Sequence, residues 1–147
     1  MADFQLYRAK DYMSKTVIVT KYLGIPYKNR GRDTNGLDCW GLVLCVYKDI
    51  FGIDLPDLDN YEVDWSYKGN DYIMERYTNE WERVEKPQEL DVVLMKNGRG
   101  IANHAGIMLD SINFIQCSKA GVTIAKITDK RINKRIEGFF RYDKSKL

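Results

Sequence analysis

Apolar residues along this chain change their spacing about two-thirds of the way through. From Tyr12 to Leu23, the residues Tyr12, Met13, Val17, Val19, Tyr22 and Leu23 recur at mixed helical spacing, which predicts an amphipathic helix closed by Gly24. Gly24-Ile25-Pro26-Tyr27 reads as a turn, and the polar, glycine-punctuated stretch from Lys28 to Gly36 as a loop. Asp38 then offers a helix cap. Behind it, Leu42, Val43, Val46, Tyr47 and Ile50 lie on one face of a helix running from Cys39 to about Phe51, with Gly52 just past its end. Residues 53–69 are acidic and aromatic without a clear period and read as loop, and Tyr72 to Trp81 reads as a short helix before Pro87.

After Pro87 the pattern becomes that of short strands: Asp91–Lys96, His104–Leu109, Asn113–Cys117, Val122–Ile127 and Ile136–Tyr142. The breaks between them contain Asn97-Gly98, Asp110-Ser111 and Lys119-Ala120-Gly121, all turn chemistry. Helices first and an antiparallel run of strands afterwards define an α+β fold. The 147 residues suit one domain, 1–147, and show no repeat or linker. A hydrophobic content of 44% and 10 tyrosines argue against disorder.

Composition removes several functions. A formal charge of +2 is too mild for a nucleic-acid binder. The longest apolar run, Leu42 to Tyr47, is far shorter than the roughly 20 residues that span a bilayer. The first residues show no secretory signal, so synthesis and initial residence in a cytoplasm are expected. Three cysteines without a CxxC pair fit neither a disulfide framework nor a zinc knuckle, and one histidine leaves no His-rich metal site. No metal or other cofactor is expected.

The chemistry that remains is thiol chemistry. Cys39 falls on the first turn of the apolar helix, where free N–H groups and the positive end of the helix dipole stabilise a thiolate. Cys45 in mid-helix and Cys117 in a strand read as small buried hydrophobes. The single histidine, His104, opens a strand. Together a helix-start cysteine and a histidine are the minimal parts of a nucleophile and its general base.

Four segments, taken in order, resemble the NlpC/P60 cysteine peptidases. These are Tyr22-Leu23-Gly24-Ile25-Pro26-Tyr27, Gly36-Leu37-Asp38-Cys39-Trp40-Gly41-Leu42-Val43, Pro87 to Val93, and His104-Ala105-Gly106-Ile107-Met108-Leu109. Ile115-Gln116 and Gly121-Val122 continue the pattern, so the resemblance covers about residues 12–127. It implies a papain-like site with Cys39 as nucleophile and His104 as base. Gln116 would orient the imidazole, with Asn103 as the competing orienter. Tyr27 would assist the oxyanion, and Asp38 would contact a substrate amine. The implied substrate is a peptidoglycan stem peptide, cut after a D-γ-Glu joined to a diamino acid.

Trp40 departs from the pattern, because cell-wall enzymes of the family typically carry Ser there. An indole N–H only donates, which predicts a different or narrower substrate pocket. A bulky aromatic at this place resembles phage-encoded members associated with tail-tip assembly. That makes tail proteins expected partners and the virion an expected location. Two alternatives follow: a structural tail-tip protein with little hydrolysis, and a thiol enzyme acting on another acyl bond with Trp40 lining an apolar pocket. The aromatic-rich stretch Asp54–Glu85 could wall the cleft, although partial core burial is the expected use of its aromatic residues.

Overall fold

The computed structural model describes residues 14–57, 81–96 and 102–143, with backbone alone at 102 and 103. The first described helix, α1, spans 14–22, with Ile18 and Tyr22 buried on its inner face. It ends where Gly24 takes a left-handed conformation (φ +86°). The earlier start expected at Tyr12 and Met13 lies outside the described residues.

Between Gly24 and Asp38 the expected loop is in fact a small hairpin, β1 (Arg32–Asp33) with β2 (Gly36–Leu37). Strands of two residues leave no alternation to detect, which is why the stretch reads as loop. The hairpin is followed at once by α2 (Cys39–Phe51), with the boundaries its pattern predicts. Asp38 caps it by accepting the Gly41 N–H at 2.7 Å. Gly52 closes it in the left-handed region (φ 68°), returning its N–H to Lys48 and Tyr47. Residues 53–57 carry no regular structure, and 58–80 lie outside the described residues.

The second half is a six-stranded antiparallel sheet: β3 (Trp81–Val84), β4 (Val92–Lys96), β5 (Ala102–Met108), β6 (Asn113–Ser118), β7 (Gly121–Lys126) and β8 (Ile136–Tyr142), in the order β3-β8-β4-β5-β6-β7. The five strands expected after Pro87 are present. A correction applies at Trp81, placed at the end of a short helix: it opens β3 and pairs with Tyr142. The rest of that expected helix, 72–80, is not among the described residues. A one-turn helix, α3 (Lys130–Asn133), capped by Asp129, was also not foreseen.

Alternation along the sheet splits its side chains between two cores. Val92, Leu94, Ala105, Ile107, Ile115 and Cys117 face α1 and α2. Val93, Met95, Met108 and Phe114 face the other way, against Ile127 and Ile132 from the connection that carries α3 and Ile136 at the start of β8. Phe114 leaves no room on the neighbouring strand, since a Cβ on Gly106 would stand 2.8 Å from its ring. Both faces are covered, and the cysteine-bearing helix start is pressed against β5 and β6.

Candidate active site

Cys39 is the first residue of α2, and its half-buried thiol points at the sheet. The β5–β6 ladder runs only from Met108↔Phe114 to Gly106↔Gln116. One residue further on, the Ala105 N–H of the peptide joining it to His104 faces the Cys39 sulfur and favours its thiolate. The buried Cys117 also faces Cys39 electrostatically and gives its own S–H to the Leu37 carbonyl at 3.0 Å.

His104 and Gln116 lie on adjacent strands and by alternation share the face of Met108 and Phe114, and among the described residues no hydrogen bond joins the imidazole to the Cys39 thiol. The imidazole Nε2 and the Gln116 Oε1 are 2.9 Å apart. An amide oxygen only accepts, so Nε2 carries the proton and Nδ1 is left as the basic nitrogen of the neutral ring. Of the two orienters considered, Gln116 is the one bonded to His104; the Asn103 side chain is not among those described.

The protonation state differs from the helix-stabilised thiolate expected of Cys39. Burial and then the adjacent Asp38 carboxylate push its thiol up to about 12, against smaller opposing effects from the N–H groups of Ala105 and Trp40. Burial also holds the His104 imidazole below its ordinary 6.5, outweighing the Gln116 bond. Both shifts favour the uncharged forms, a thiol and an imidazole.

Asp38 is 5% exposed and fully engaged with its own chain. Its Oδ1 accepts from Gly41 N–H and from Arg32 Nη1 at 2.8 Å, and its Oδ2 from the Arg30 N–H at 3.0 Å. These bonds commit Asp38 to the cap of α2 and to Arg32. Trp40 is buried as well. It is 2% exposed, packed in the core, and its indole donates to the Pro56 carbonyl at 3.0 Å. It ties the segment after α2 to the start of the helix rather than walling an apolar pocket. Half-buried Tyr27 is bridged to Leu37, beside the strand that leads into Asp38 and Cys39. Cys117 is buried as expected, whereas Cys45 is only half-buried and donates to the Arg32 carbonyl. Arg32 itself, at the centre of the Asp38 contacts, was not foreseen: nothing in a polar loop marks one arginine among its neighbours.

An α+β domain that sets a cysteine at a helix start against the strand of its only histidine defines a thiol-site class of fold. The NlpC/P60 family profile matches residues 24–141, and the chain belongs to that family. It is 38% identical over 79 residues to the tail tip assembly protein K of Escherichia phage N15, covering 50% of this chain and 31% of that protein. It is 33% identical over 130 residues to the gamma-DL-glutamyl hydrolase of Bacillus subtilis (strain 168), covering 84% of this chain and 27% of that protein. The chain thus spans less than a third of the length of either curated relative. Among solved structures, the NlpC/p60 domain of the peptidoglycan hydrolase SagA superposes with a TM-score of 0.61 at 18% identity, covering 88% of this chain and 97% of that one. Among the described residues, no helix is long and apolar enough to cross a membrane.

Proposed function

We propose that this chain is a cysteine peptidase that hydrolyses peptidoglycan stem peptides at a D-γ-glutamyl bond to a diamino acid, acting from a phage or phage-like tail. The observation that carries the reading is Cys39 opening α2 behind the Asp38 cap, on a helix packed against the strand of His104, with His104 itself held by Gln116 at 2.9 Å. The γ-glutamyl specificity draws support from the Bacillus subtilis relative, and the tail association from the phage N15 relative.

In the reaction, Nδ1 of His104 takes the Cys39 S–H proton as sulfur bonds to the substrate carbonyl carbon. The Cys39 N–H at the helix start, assisted by the Tyr27 hydroxyl, holds the oxyanion. Collapse breaks the C–N bond, and Nδ1 passes its proton to the leaving amine. Water then attacks the thioester, giving one proton to Nδ1, and the acid leaves as that proton returns to sulfur. Gln116 keeps Nε2 protonated and Nδ1 basic throughout.

Digestion of purified sacculi by the wild type, Cys39→Ala and His104→Ala, with mass spectrometry of the released peptides, tests this. Fragments ending in D-γ-Glu from the wild type alone support it; equal release by Cys39→Ala rejects it.

The likeness to a tail tip assembly protein favours a second reading, in which the fold serves assembly and hydrolysis is minor. That reading predicts stoichiometric incorporation into particles, unchanged by Cys39→Ala, as measured by mass spectrometry of purified virions. An acyl-chain hydrolase loses its main motive now that Trp40 is committed to the core.

A further inference from the structure

The ionic surroundings of the Cys39 thiol are set from the β1–β2 hairpin. Arg32 gives Nη1 to the buried Asp38 at 2.8 Å and to the Gly31 carbonyl at 2.9 Å. Its Nε and Nη2 grip Asp57 at 3.1 and 2.9 Å, so the guanidinium lies between two carboxylates with its side chain 24% exposed. Backbone contact fixes this arrangement. The Gly31 carbonyl approaches α2 so closely that a Cβ on Gly41 would stand 2.0 Å from it, and a Cβ on Gly31 would stand 2.2 Å from the Gly36 carbonyl.

A carboxylate one residue before a thiol opposes its ionisation, and a cation on that carboxylate offsets the effect. The groups facing the Cys39 thiol are Asp38 ahead of α2, Cys117 on β6, the Trp40 N–H on α2 itself, and the Ala105 N–H on β5 beside His104. Of these, Asp38 is the one that carries a full charge while the cysteines and His104 are neutral, and Arg32 is the cation seated on it.

We propose that Arg32 is a positioning residue for the nucleophile: gripping Asp38 from β1, it seats the cap of α2 and offsets the carboxylate's charge at the Cys39 sulfur. The inference rests on Cys39 being the nucleophile, but its test reads the thiol directly and needs no substrate.

The measurement is the rate of Cys39 alkylation by iodoacetamide between pH 7 and 10, followed by peptide mass spectrometry on the full chain. Arg32→Gln is expected to slow labelling at a fixed pH by about tenfold, the effect of one pK unit on a thiolate fraction. Arg32→Lys, which keeps the charge, restores most of the rate. Asp38→Asn speeds labelling, and adding Arg32→Gln to it brings no further slowing, because no carboxylate is left to offset. A residue that merely stiffens the first turn would shift Arg32→Gln and Asp38→Asn in the same direction, which would overturn the proposal, as would native-rate labelling of Arg32→Gln. Should Arg32→Gln fail to fold, the Lys and Asn variants decide: slower labelling in Asp38→Asn, or failure of Lys to sustain the rate, overturns it. If labelling follows the proposal while Cys39→Ala still digests sacculi, the nucleophile assignment fails and the role of Arg32 at the thiol stands.

Discussion

His104 and Gln116 show how much of a site one hydrogen bond can determine. The 2.9 Å contact selects the tautomer that leaves Nδ1 basic, and any side chain that cannot accept from Nε2 loses that selection. Gln116→Ala is therefore expected to lower kcat/KM roughly 10–100-fold with folding intact, and Gln116→Asn to recover part of it; steady-state kinetics with melting curves checks both. Protonation also links the imidazole to stability. Its folded pKa lies below the ordinary 6.5, so the unfolded chain binds the proton more readily. The stability linked to His104 is complete above pH 6.5 and is lost as pH falls from there toward the folded value. Urea unfolding of the wild type and His104→Gln between pH 7 and 5 should show a steeper loss in the wild type. The acid limb of kcat/KM should likewise lie below pH 6.5.

At the scale of elements, α2 is the part most legible in the sequence. Its apolar period, the Asp38 cap and the left-handed Gly52 all point to the same boundaries, and those are the boundaries found. The β1–β2 hairpin was not legible, because its hold on α2 comes from two glycines meeting through backbone. Gly41→Ala would drive a Cβ against the Gly31 carbonyl, which cannot swing aside like a side chain end. A loss of about 1–3 kcal/mol is expected by urea denaturation. β3 was misread as the tail of a helix for a different reason. Four residues, Trp-Glu-Arg-Val, are too few to show a period, and the pairing partner that makes them a strand, β8, lies at the other end of the chain.

Over the whole molecule, the sheet edge formed by β3 and β8 is held to the chain before β4 by Arg141 and Asp91. The guanidinium meets the buried carboxylate at 2.9 and 2.8 Å, and Asp91 also accepts the Gln88 N–H at 2.7 Å. Arg141→Ala would strand a buried charge, with an expected loss of about 3 kcal/mol and a lower Tm in calorimetry. Nothing in the sequence pairs these two residues, since only the β4–β8 neighbour relation brings them together. The same limit explains the site. The place of Cys39 at the start of α2 and the His104–Gln116 contact were legible because their residue types and the surrounding motifs point to them. The burial of Trp40 and the closure of Asp38 around Arg32 were not, because each depends on how the hairpin and the 53–57 segment pack on the start of α2.

The most direct test of the account is to trap the acyl-enzyme. The protein is mixed with a γ-D-glutamyl stem peptide, quenched in acid within the first turnovers, and mapped by peptide mass spectrometry. The account predicts a thioester adduct on Cys39 and none on Cys45 or Cys117. Little or no adduct should form in His104→Ala, because the thiol then has no base to take its proton as sulfur attacks. Turnover that continues in Cys39→Ala, or an adduct confined to another cysteine, would contradict it.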